Sequence, residues 1–296
     1  MFQKILVPLD GSRLSEAALP PAVVLAARFK ASVVLLHVIE QEAPSEIHKE
    51  RHLTQVDEAE DYLKEAARQF FPAEIQVETH VHPAPVPDVP RSIVEHATAE
   101  FQPDLIVMCT HGRGGMRETL YGSIAQQVVA QGKIPLLLVK PSSSEFKLQK
   151  ILLPLDPDSI HDESFPAAES LASAFQAELV LVSVVPTLST VAGEKVAVSK
   201  FMPISTEAFF EIRERSALEH LEEHVRALHT LMIRASAEAV RGDPATAILE
   251  IGRKSGVDLL ILSTHRKTGL NAFWALSVAP KVAQKTTIPL LLIPLP

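Results

Sequence analysis

Short, wholly apolar runs recur along the chain, separated by segments whose apolar residues return every three or four positions. The first pattern reads as buried strands and the second as amphipathic helices. Ile5–Leu9 is the first strand, and Ser12–Phe29 the helix after it, with Ala17, Ala18, Leu25 and Ala26 on its apolar face. Ser32–Ile39 is a second strand, Glu46–Phe71 a long charged helix and Glu74–His82 a third strand. Pro90–Phe101 follows as a helix with proline in its first turn, where a missing N–H costs nothing. Leu105–Cys109, a helix opening at Ser123, and Leu136–Val139 complete five strands and four helices. Strands apolar over their whole length, alternating with helices, predict an α/β domain: a doubly wound, five-stranded parallel sheet flanked by helices.

The pattern then starts again. Lys4-Ile-Leu-Val-Pro-Leu-Asp10 recurs as Lys150-Ile-Leu-Leu-Pro-Leu-Asp156, and Asp104-Leu-Ile-Val as Asp258-Leu-Leu-Ile. Thr110-His111 recurs as Thr264-His265, and Ile134-Pro-Leu-Leu-Leu-Val139 as Ile288-Pro-Leu-Leu-Leu-Ile293. Matches in the same order across both halves indicate a duplicated domain, not a short solenoid repeat. Pro141-Ser-Ser-Ser-Glu145 has the composition of a linker, so the expected domains are residues 1–144 and 145–296. The second half carries a net insertion, with an irregular piece, Pro186–Pro203, before its long helix at about Ser205–Leu231.

In a doubly wound sheet, ligands gather at the carboxyl ends of the strands where strand order reverses. Asp10 ends the first strand, Val38 and Ile39 the second, and the stretch Cys109–Ser123 follows the fourth. Gly112, Gly114 and Gly115 can take positive φ and expose backbone N–H groups. Gly122-Ser123 opens a helix whose free N–H groups and dipole favour a phosphate. Ser123 either caps that helix or bonds a phosphate oxygen. A carboxylate beside an anion cradle suits a ribose hydroxyl and phosphates, with an apolar strand end for a base; the alternative is a tight turn with a capped helix. No Walker lysine follows the glycines, so this is not a P-loop.

Composition narrows the partners. At 296 residues with 47% hydrophobic and 22% charged content, the chain can fill two cores. A net charge of −8 argues against nucleic acid or an anionic membrane as partner. The start reads as a strand with no basic or long apolar leader, and no apolar span reaches membrane length. Cys109 is the single cysteine, which excludes an internal disulfide and fits a reducing cytoplasm; closing an apolar strand, it reads as a buried, inert thiol.

Other constellations carry less. His220-Leu-Glu-Glu-His224 has the spacing of a zinc peptidase helix, but its Glu- and Arg-rich surroundings read as a solvated face and no third ligand is identifiable. His48 and His52 share that spacing, and His80 and His82 alternate on one strand face. No metal site and no catalytic set is assigned: no histidine in the local sequence joins Ser12 and Asp10 in a triad.

These residues resemble a known family, the universal stress proteins, in tandem form. The resemblance covers both halves. It rests on Ile-Leu-Val-Pro-Leu-Asp-Gly-Ser at the start, Leu-Leu-His-Val-Ile-Glu ending the second strand, Asp-Leu-Ile-Val before the loop and Ile-Pro-Leu-Leu-Leu-Val at the end. ATP-binding members carry G-x2-G-x9-G-[ST] after the fourth strand. Gly112 fills the second glycine and Gly122-Ser123 the third with its hydroxyl partner, while Cys109 replaces the first. The resemblance implies ATP, with or without Mg2+: Asp10 on the ribose, Val38 near the adenine, and Gly112, Gly122 and Ser123 on the phosphates. It extends the candidate set to Pro8, Leu9, Cys109, His111, Arg113 and Gly115. In the second half the matching positions are Ser263, Arg266 and Leu276-Ser277, so all three glycines are gone, and Asp156 is followed by Pro157-Asp158. That half is read as not binding ATP in the usual way. Arg266 and Lys267 bind another anion, or Phe273 and Trp274 pack against the other half.

The expected function is thus a cytoplasmic stress-response regulator with an adenine nucleotide in its first domain and an unidentified protein partner. The alternatives are a slow ATPase or nucleotide hydrolase, and an interaction protein that binds no nucleotide. The tandem domains form a pseudo-dimer within the chain, and a homodimer is a further expectation. Leu136–Val139 and Leu290–Ile293, by resemblance edge strands, are expected to pair over a few residues, limited by Pro135 and Pro289.

Overall fold

The structure, a computed structural model, describes residues 1–43, 46–47, 50–110, 123–141, 145–155, 164–185, 187, 203–264 and 278–295. These form two compact units. The first spans Met1–Lys147, Thr264–Leu276 and Pro289–Pro296, and the second Leu148–Ser263 and Ser277–Ile288.

In the first unit, β1 (Lys4–Pro8), β2 (Ser32–Glu40), β5 (Val77–Val86), β6 (Leu105–Cys109), β7 (Leu136–Val139) and β12 (Leu290–Pro294) share one sheet in the order β12-β7-β6-β1-β2-β5. Pairing is parallel from β7 to β5. The chain's last strand, β12, runs antiparallel to β7, with Leu290, Leu291 and Leu292 opposite Leu138, Leu137 and Leu136. The side chains of Ile5, Leu6, Leu35, Leu36, Leu105 and Ile106 are fully buried, as strands covered on both faces require. From β1 the chain moves outward through β2 to β5, then returns to the other side of β1 for β6 and β7. The reversal of strand order therefore falls between β1 and β6.

The second unit repeats the plan: β8 (Lys150–Pro154), β9 (Glu178–Val185), β10 (Ala235–Arg241) and β11 (Leu259–Thr264) in the order β10-β9-β8-β11. The duplicated sequence is duplicated in bonding. Asp104 Oδ2 accepts the N–H groups of Gln3 (2.7 Å) and Lys4 (3.0 Å), tying the start of β1 to the start of β6. Asp258 Oδ2 does the same for Gln149 (2.8 Å) and Lys150 (2.9 Å). Asp88 and Asp243 cap corresponding helices through the N–H groups of Arg91 and Thr246, both at 3.0 Å.

Four boundaries differ from the sequence reading, each for a local reason. The first helix is a 3-10 turn, Ser15–Ala18, followed by α1 (Leu19–Phe29), because Pro20 and Pro21 belong at the first turn of a helix and not inside one. The charged helix expected over Glu46–Phe71 starts only at α2 (Val56–Phe70). Ahead of it, β3 (Glu46–Ile47) and β4 (Glu50–Arg51) pair antiparallel. β5 runs past His82 to Val86, whose partner is Glu40 after a register shift beyond Val38. As the edge strand, β5 tolerates Pro83 and Pro85. The helix expected over Pro90–Phe101 divides into α3 (Val89–Glu95) and a π-helical turn, His96–Phe101. The remaining helices are α4 (Ser123–Gln131), α5 (Phe165–Phe175), α6 (Pro203–Thr230), α7 (Pro244–Ser255) and α8 (Val278–Lys285).

Candidate functional site

The carboxyl ends of β6, β1 and β2 lie side by side at the reversal of strand order. They carry Cys109 at the end of β6, Pro8 at the end of β1 with Leu9 and Asp10 just beyond it, and buried Val38 near the end of β2. β1 is prolonged by one bond, from the Leu9 N–H to the Leu36 carbonyl (2.8 Å), before the chain turns. Gly11 takes φ +88°, a conformation that side chains resist. Asp10 Oδ1 then accepts both the Ser12 N–H (2.9 Å) and the Ser12 hydroxyl (2.7 Å), an aspartate turn closed on itself. Ser12 Oγ also accepts the Ser15 N–H (3.2 Å), and the Ser15 hydroxyl donates to the Ser12 carbonyl (2.7 Å). Both serines are buried, so the half-buried Asp10 is oriented by groups that cannot easily move.

A second layer supports this turn. His37 is wholly buried in β2, with Nδ1 2.8 Å from the Leu9 carbonyl oxygen and Nε2 3.2 Å from that of Leu53. The ring lies between the end of β1 and the segment between β4 and α2, its shorter contact being to Leu9. That segment covers the turn: a Cβ on Gly11 would stand 2.7 Å from Leu53 Cδ1. Glu50 accepts the Arg13 N–H (2.7 Å) and pairs with its guanidinium (3.7 Å), an exposed contact of small energy.

Charge around the turn is negative. Burial raises the pKa of Glu16, and the carboxylates of Glu50 and Asp10 add to the effect, against a hydrogen bond from Tyr62 and the charge of Arg13. The Cys109 thiol is pushed up to about 12, first by burial and then by the Asp10 carboxylate. It is therefore neutral near pH 7, as expected of an inert cysteine, although the residue is half-buried and not buried as the sequence suggested.

Among the candidate residues, Pro8, Leu9, Asp10, Val38 and Cys109 share this corner, and Ser123 is the first residue of α4. His111, Gly112, Arg113, Gly115 and Gly122 lie outside the described residues, as do Asp156, Arg266, Lys267, Phe273, Trp274, Leu276 and Ser277. Sequence reading missed the supports, Ser15, His37 and Leu53. Only His37 carried a signal, a polar residue inside the apolar run Val33–Ile39. In the second unit the strand end is the same, with the Leu155 N–H on the Val182 carbonyl at 2.8 Å. Ser183 stands where His37 would be, and its buried hydroxyl has no hydrogen-bond partner among the described residues.

The model of the universal stress protein family matches residues 1–140 and again 147–294. The chain belongs to the universal stress protein family. It is 28% identical over 153 residues to universal stress protein MJ0531 of Methanocaldococcus jannaschii, covering 49% of this chain and 86% of that protein. To universal stress protein YxiE of Bacillus subtilis it is 28% identical over 151 residues, 49% of this chain and 97% of that protein. Each relative thus corresponds to one half of this tandem chain. In fold, the chain is similar over nearly its whole length to a universal stress protein from Archaeoglobus fulgidus, with a TM-score of 0.71 at 18% identity, covering 98% of this chain and 96% of that one. A functionally unknown protein from Pseudomonas aeruginosa gives a TM-score of 0.68 at 16% identity, covering 99% and 92%. Among the described residues no helix is long and apolar enough to cross a membrane.

Proposed function

We propose that this universal stress protein binds ATP in its first domain and acts as a cytoplasmic stress-response regulator. Bound nucleotide orders the site and shifts populations; it is not a substrate turned over quickly. The observation that carries the reading is the Asp10 carboxylate, held by Ser12 at the reversal of strand order beside the end of β6. A carboxylate accepts hydrogen bonds from both hydroxyls of a ribose, and the apolar end of β2 at Val38 offers a surface for the base. The start of α4 at Ser123 supplies helix N–H groups for phosphates, next to the Gly122 of the sequence motif. Cys109, in place of the motif's first glycine, is uncharged and so adds no repulsion toward a phosphate. The second domain lacks the glycines, and we assign it no nucleotide.

Calorimetric titration of ATP into the full chain and its Asp10→Ala variant tests the reading. Loss of a charge-assisted bond should weaken binding by roughly 1.5–3 kcal/mol. Equal affinity in the two proteins would remove Asp10 from the site.

A further inference from the structure

A second cluster lies on the opposite flank of β2 and shares no residue with the Asp10 turn, so it stands or falls independently of nucleotide binding. His80 and His82 project from one face of β5. The helix that returns over the sheet adds His96 and Glu100, both on the π-helical turn that ends α3. Such turns often mark functional positions, because the extra residue re-aims the side chains on one face. We propose that His80, His96 and Glu100 bind a divalent, imidazole-preferring cation of the Zn2+ class, with the His82 ring packed beside them.

Three observations carry this. The ligating atoms of His80, His96 and Glu100 all lie within 4.8 Å of one another. Glu100 Oε1 is 3.8 Å from His80 Nδ1, and Glu100 Oε2 is 3.7 Å from His96 Nε2. These distances are too long for hydrogen bonds, so the carboxylate and rings face one another without closing on one another. In a tetrahedral zinc shell with bonds of 2.0–2.1 Å, neighbouring ligand atoms stand about 3.3–3.4 Å apart. The two carboxylate–imidazole distances exceed this by a few tenths of an ångström, and side-chain rotation must bring the rest of the set, within 4.8 Å here, closer by up to about 1.5 Å.

The second observation is the tautomer. His96 Nδ1 lies 2.9 Å from the Ser92 carbonyl oxygen, which can only accept. The proton therefore belongs on Nδ1, and the Nε2 lone pair points toward Glu100. A ring nitrogen anchored on a backbone carbonyl while the other ligates is the usual posture of a metal-binding histidine. Phe101 packs edge-on against His80 at 5.2 Å between ring centres and holds that ring as well.

The third is the setting. The His82 ring meets His96 edge-on at 4.9 Å between ring centres and closes one side of the cluster. A cavity of about 440 Å³ lined by His82, Asp88, Arg91, Glu95, His96 and Glu100 opens beside the cluster. An exogenous ligand or water can reach the cation through it. Imidazole with one carboxylate favours zinc among the common divalent ions over Mg2+ or Ca2+, which take all-oxygen shells. His220 and His224, with Nε2 atoms 3.3 Å apart on α6, are a separate histidine pair and serve as the control.

The test uses the full chain, stripped with chelator and dialysed. Zn2+ is titrated by calorimetry, and Co2+ replaces it to report geometry by visible absorption. One site per chain with the intense bands of tetrahedral cobalt is expected. His80→Gln and His96→Gln should each weaken Zn2+ binding by more than about tenfold. Glu100→Gln, an exposed change that leaves the core untouched, should weaken it too, and His220→Gln should not. Absence of Zn2+ binding, the weak bands of octahedral cobalt, undiminished affinity in Glu100→Gln, or loss of the site in His220→Gln would each overturn the proposal.

Discussion

Ser12 is wholly buried, yet its two polar groups both serve Asp10, and its oxygen in turn accepts from Ser15. Ser12→Ala deletes one bond to a carboxylate and leaves the Ser15 N–H without that acceptor. We expect a loss of about 1–3 kcal/mol, read as a lower urea midpoint at unchanged slope. An unchanged midpoint would mean that Asp10 is positioned by other groups. Cys109 makes a prediction about pH. Its folded pKa of about 12 lies above the ordinary 9.0, so between these values the folded chain holds a proton that the unfolded chain has released. The thiol's contribution to stability is complete below pH 9 and is lost as pH rises toward 12. Stability of the wild type should therefore fall more steeply across that window than stability of Cys109→Ala. Parallel curves would show that the thiol is not desolvated.

Between β4 and α2 the chain crosses the turn after β1, and this explains why a helix does not form there. Leu53 occupies the space over Gly11, and its carbonyl faces His37, so Leu53 is spent on long-range contacts before helical periodicity begins at Val56. Gly11→Ala combines a positive φ with a clash at 2.7 Å and should destabilise by about 1–3 kcal/mol. In a double-mutant cycle, Leu53→Ala should relieve part of that cost; strict additivity would argue against the contact. The five strands of the first half and the parallel α/β class were legible because unbroken runs such as Val33-Val-Leu-Leu36 admit few other readings, and because a repeat checks itself. Asp10 was legible for the same reason, by its place after a strand. The stretch from Glu50 to Leu53 was not, since it is held by residues distant in sequence, His37 16 positions and Arg13 37 positions away. The neighbours of His80 and His82 were hidden likewise: nothing local says that His96 and Glu100 turn back over β5.

The duplication is not symmetrical in its outcome. β12, from the end of the second half of the sequence, pairs with β7 inside the first unit, where Leu137 and Leu291 stand opposite each other, both almost fully buried. A chain ending at Ile288 should lose this pairing, and amide exchange should accelerate along Leu136–Leu138 while β9 keeps its protection. Unaltered exchange in β7 would mean that β12 contributes nothing to its order. The halves also differ where the family's nucleotide motif falls: Gly112 and Gly122-Ser123 in one, Arg266 and Leu276-Ser277 in the other. A phosphate at a helix N-terminus needs backbone amides within about 3 Å, and a branched side chain at the glycine prevents that approach. Gly122→Leu copies the second half into the first. Calorimetric titration of ATP into the full-length chain and into Gly122→Leu therefore tests the central claim most directly. The account predicts one ATP per chain, abolished by Gly122→Leu with the fold intact; a stoichiometry near two, or full binding by Gly122→Leu, would contradict it.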